Sequence, residues 1–179
     1  MNEQSLILTA TQAWLEKAVI GLNLCPFAKA VHIKKQIRYT ISAADNVRDL
    51  HADLLKEIEF LLEADPEKLE TTLLIHPQVL NDFLDFNDFL DVADALLVDL
   101  NADGILQIAS FHPNYQFFGT ESDDIENYTN RAPYPTLHLI RESSIERAIA
   151  SYPDTDEIYQ KNIDTLKRLG LAGWQNLFK

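Results

Sequence analysis

Cysteine is nearly absent from this chain of 179 residues, which holds only Cys25. A lone cysteine closes no internal disulfide, so the fold must rest on its core, and the composition fits a reducing compartment. Basic charge is scarce as well: fifteen Lys and Arg face twenty-eight Asp and Glu, a formal net charge of -13. That field repels phosphate backbones and anionic membrane surfaces, so nucleic acid is not an expected partner. Apolar runs long enough to span a bilayer are missing. The N-terminal segment carries Glu3 and no basic region before its short apolar run, unlike a signal peptide, so a cytoplasmic protein without a membrane partner is expected. Also missing are a Walker loop, a GxGxxG fingerprint, a CxxC pair, an HExxH helix and a GxSxG elbow.

What is present suits one folding unit, since 46% hydrophobic content at this length fills a continuous core. Leu6, Ala10, Ala13, Trp14 and Ala18 recur at helical spacing, giving an N-terminal helix over residues 1–23. QIRYTIS (36–42) reads as a strand, and Asp45 is placed to cap a helix running to about residue 63. Two further apolar runs, TTLLIHPQ (71–78) and LQIASFHPN (106–114), flank a helix opened by Asp82. TLHLIRE (136–142) is a fourth strand, followed by a helix from Ser143 or Ser144 and a longer one from about Asp154 to Leu169. The expected fold is α/β: a single-domain layered sandwich, with a mixed sheet of about four strands and helices packed on it. Residues 170–179 keep Trp174, Leu177 and Phe178 for docking on the body or on another copy of the chain.

Both central apolar runs end in His-Pro, at His76-Pro77 and His112-Pro113. Proline biases the preceding residue toward extended backbone and removes the next ladder donor, so each strand stops with its imidazole at the rim. Strands joined through helices pair in parallel, which places both histidines on one sheet edge, where ligands of α/β proteins sit. An antiparallel last strand would bring Asn130, Arg131 and the APYP turn to that edge too. The alternative is that both rings merely terminate strands and bond nearby carbonyls.

The long segment 113–135 is too rich in aromatics to be disordered, and its length marks it as a functional candidate. Within it Arg131 could clamp a carboxylate or phosphate, or instead bond loop carbonyls or pair with Glu121, Asp123, Asp124 or Glu126. His138, in mid-strand, reads as a hydrogen-bonded core residue. Arg141, on the opposite face, is expected to pair with a surface carboxylate. Cys25 precedes Pro26 and could cap a short helix through PFAKAV as a nucleophile or metal ligand, or be a small buried hydrophobe. Asp82, Asp85, Asp88, Asp91 and Asp94 spiral around a helix axis and form a solvated acidic surface.

GLNLCPFAKA (21–30), SFHPNYQFFG (110–119) and NYTNRAPYPTLHLIRE (127–142) together resemble a bacterial family catalogued as domain of unknown function 1415. The resemblance covers most of the chain and carries no activity. It implies that Cys25, His112, Asn130, Arg131 and His138 lie in the family's characteristic segments, whereas His76 does not. The leading expectation is a small enzyme acting on an anionic metabolite. His112 would be its acid or base, assisted by His76, with Arg131, Asn130, Asn114 and Tyr134 binding substrate. The other expectations are a non-catalytic binding or interaction module, and a transition-metal site built from His76, His112 and Cys25 or a carboxylate. No particular cofactor is implied.

Overall fold

The computed structural model describes residues 2–151 and 156–179. Helix α1 (Glu3–Trp14) starts at Asn2, whose side chain accepts the Ser5 amide, and runs on as a π-helical segment, Leu15–Ile20. A short α2 (Ala28–Ile33) leads to β1 (Ile37–Ile41), α3 (Val47–Glu63), β2 (Thr71–Ile75), α4 (Phe83–Asp99) and β3 (Leu106–Phe111). A 3-10 turn, Ile125–Thr129, lies in the long loop before β4 (Thr136–Arg141), α5 (Glu142–Ser151) and α6 (Asp156–Asn176). The expected start of the last helix at Asp154 lies outside the described residues. At its far end α6 kinks at Gly170, whose φ of 66° suits glycine, and the final turns bury Trp174.

The four strands form one mixed sheet in the order β1-β2-β4-β3. β1 and β2 are parallel, while β4 runs antiparallel between β2 and β3. The ends of β1, β2 and β3 therefore share an edge with the start of β4, as the alternation of strands and helices implied. Strand parity divides the sheet into two faces. Leu74, Leu106, Leu137 and Leu139 point toward α3 and α4, where Leu50, Leu54, Ile58 and Leu61 are fully buried at helical spacing. Each such side chain contributes roughly 1.5–3 kcal/mol relative to exposure. On the other face Ile37, Tyr39 and Phe111 meet a second core of Trp14, Leu15, Val19, Leu166 and Trp174. With both faces covered, every residue of β2 is buried, which explains why the strand shows no alternation between core and solvent positions.

Local capping differs from expectation at three places. Asn46, not Asp45, caps α3 by accepting the Asp49 amide at 3.0 Å, while Asp82 caps α4 as expected. Arg141 meets no surface carboxylate among the described residues. It is buried and donates to the carbonyls of Leu61, Ala64 and Leu69 at 2.6, 2.9 and 3.2 Å, closing the C-terminus of α3. Cys25 offers no side-chain cap to α2, whose N-terminal flank is Phe27.

Candidate functional site

The His-Pro histidines do come together, against one ring: their centroids lie 5.7 Å (His76) and 5.1 Å (His112) from Phe86. Each follows a strand at the parity that faces α4, so both rings turn inward and are fully buried. His76 Nδ1 donates to the Val79 carbonyl at 3.0 Å. His112 Nε2 donates to the Leu80 carbonyl at 3.1 Å, and its Nδ1 accepts the Asn114 amide at 3.0 Å. The pair thus clips the turn between β2 and α4, in which Leu80 holds a φ of 58°. Burial, with a smaller contribution from His112, lowers His76 to about 4. Burial also lowers His112, opposed in part by its bond to Leu80 and by Asp82. His76 Nε2 is buried and has no partner among the described residues, a cost of about 1–3 kcal/mol.

Arg131 leaves the edge in the other direction. Its Nε donates to the Tyr115 carbonyl at 3.1 Å and its Nη2 to the Ser122 carbonyl at 2.6 Å, with the guanidinium carbon 4.5 Å over the Tyr128 ring. It pairs with none of the four loop carboxylates among the described residues. Asn130 braces the loop: its side chain donates to Ser110 at 3.1 Å and its carbonyl accepts the His112 amide at 3.1 Å. Asn114 is exposed, and Tyr134 is half-buried with its carbonyl accepting from Thr136 at 3.0 Å. The rest of the loop hangs on a residue that sequence reading did not single out. Asn127 is fully buried and bonds Phe117, Thr120 and Glu121. His112 turns into the core against Phe86, whereas Arg131 lies over Tyr128 and holds loop carbonyls, so the two take different partners and do not form one site.

Cys25 is separated from the histidine pair by the sheet, packing beside the second core. Among the described residues, no three of His, Cys, Asp or Glu are grouped to hold a metal ion.

The space that Cys25 borders is a cavity of about 600 Å³ between the sheet, the N-terminal helices and α5. Strand parity supplies its floor: Thr71, Leu73, Ala109, Phe111, His138 and Ile140 all project from the same face. Leu15 and Val19 of the π-helical segment line the wall opposite, a geometry often met where a helix borders a functional site. The exposed Lys34 and Arg147 stand at its mouth, the latter bonded to Glu70 at 2.7 Å.

His138 is the polar centre of this floor. The Thr71 hydroxyl lies 2.5 Å from the Leu139 carbonyl and 2.6 Å from His138 Nε2. A carbonyl only accepts, so the hydroxyl proton goes to Leu139 and His138 must donate from Nε2. Nδ1 is then a bare lone pair with no partner among the described residues, on a half-buried ring that borders the cavity. Burial lowers this ring to about 4 and keeps it neutral near pH 7. The alternation of β4 carried a signal for this placement, since it puts His138 opposite the buried Leu137 and Leu139, but not for the space above it.

No curated protein and no solved structure matches the chain. Among the described residues, no helix is long and apolar enough to cross a membrane. A family model described as protein of unknown function matches residues 6–176, and on that coverage the chain belongs to the DUF1415 family.

Proposed function

We propose that the protein binds a small, largely apolar molecule in the cavity over the sheet, with His138 as its polar anchor. The observation that carries this reading is the unpartnered Nδ1 of His138 on an otherwise mainly apolar floor. Thr71 fixes the tautomer, so the ring offers a lone pair to an N–H or O–H donor on the ligand. The volume falls in the range of small-molecule sites, where apolar walls and a few convergent polar groups are the usual combination. Binding fits better than acid-base catalysis. A ring lowered to about 4 is a weak base near neutral pH, and a general base works best with a pKa near the working pH.

Cys25 is the only thiol in the chain and lines the same cavity, so its modification rate reports occupancy. A panel of neutral phenols and indoles should contain members that slow Cys25 labelling in the native protein and raise its melting temperature. His138→Phe removes the lone pair and keeps an aromatic ring in place, and it should abolish that protection. The reading fails if no member slows labelling, or if protection survives intact in a folded His138→Phe variant.

A further inference from the structure

A second concavity, a cleft of about 570 Å³, has Trp14 in its lining in common with the cavity and otherwise a different set of residues. Its aromatic wall is a chain of edge contacts. Tyr128 meets Trp174 at 5.1 Å between centroids, and Trp174 meets Phe178 at 5.8 Å. Two cations, Lys17 and Arg131, complete the lining, and among the described residues no Asp or Glu takes part. In a chain of net charge -13 that local reversal of sign sets the cleft apart.

Arg131 is pre-organised there. Two loop carbonyls hold Nε and Nη2, and Tyr128 supports one face of the guanidinium, which leaves Nη1 without a protein partner among the described residues. Lys17 is exposed and forms no ion pair among the described residues. A fixed guanidinium edge, a mobile ammonium and flat aromatic walls match a small molecule that joins a ring to a carboxylate. We infer that this cleft is a binding site for an arylalkyl carboxylate, separate from the cavity over the sheet, with Arg131 and Lys17 holding the anion.

Both tryptophans of the chain line the cleft, so tryptophan emission follows its occupancy. Hydrocinnamate, titrated into the full chain with selective tryptophan excitation, should give a saturable change. Its neutral analogue hydrocinnamide should bind about tenfold more weakly, the order expected when a charge-assisted hydrogen bond is lost. Arg131→Gln should erase the difference between acid and amide. Since that change also releases two loop carbonyls, Lys17→Glu at an exposed position provides the second variant, and it should weaken the carboxylate at least tenfold while leaving the amide unaffected. Cys25 labelling should not slow, because the cavity stays empty. The inference is overturned by the absence of a saturable response to millimolar hydrocinnamate, by equal affinity for acid and amide, by a Lys17→Glu variant that binds the acid as before, or by protection of Cys25.

Discussion

Acid should unfold this protein partly through His76. The ring is fully buried, its Nδ1–H is committed to Val79, and its Nε2 is buried with no partner among the described residues to receive a proton's charge. His112 acts on it electrostatically and would repel a second positive charge. Burial sets the folded value at about 4 against 6.5 for the free side chain. Between those values the unfolded chain binds more protons than the folded one, so stability falls as pH drops and is fully present above 6.5. Integrating that difference from about pH 7 to about pH 4.5 gives a loss of about 2 kcal/mol from this ring alone. Total stabilities are about 5–15 kcal/mol, so the loss would be a substantial fraction. The perturbation is His76→Asn, whose amide can still donate to Val79 but does not titrate. Urea unfolding of both proteins at about pH 7 and about pH 4.5 isolates the ring from the background of carboxylates. The variant should start less stable by about 1–3 kcal/mol, because packing on Phe86 is lost, and should lose about 2 kcal/mol less on acidification. Parallel shifts of the two midpoints would refute the reasoning.

Arg141→Met should cost about 2–4 kcal/mol, since it removes three charge-assisted bonds and leaves buried carbonyls at the end of α3; a urea midpoint within error of the parent would sink that account. Asn46→Ala should lower stability by about 1 kcal/mol whereas Asp45→Ala should cost at most a few tenths, and thermal melts that rank them in the opposite order would show the cap to be misassigned.

Secondary structure was largely legible in the sequence because its determinants are local. Leu50, Leu54, Ile58 and Leu61 announce α3 by spacing alone, and Asp82 announces the start of α4 by its chemistry. The Asp45 and Asn46 ambiguity shows the limit of that local code. Both are good capping residues, adjacent in sequence, and only the backbone turn decides which side chain reaches the Asp49 amide. The site was less legible. Sequence placed two histidines at one edge, and they are there, but whether a ring at a strand end turns outward or inward depends on what packs against that face. Here α4 presents Phe86, and the rings follow it into the core.

The sequence by itself determined the strands, their His-Pro ends and the alternation within each strand that sets His138 opposite Leu137 and Leu139. Periodicity carries that information residue by residue. Only the tertiary structure decided which face is packed solid and which encloses space. Cavities and clefts are the difference between the volume that elements frame and the volume that side chains fill, and that difference arises between segments far apart in the chain. Thr71 with His138, and Lys17 with Arg131, are such pairs: no local pattern joins them, and the fold does.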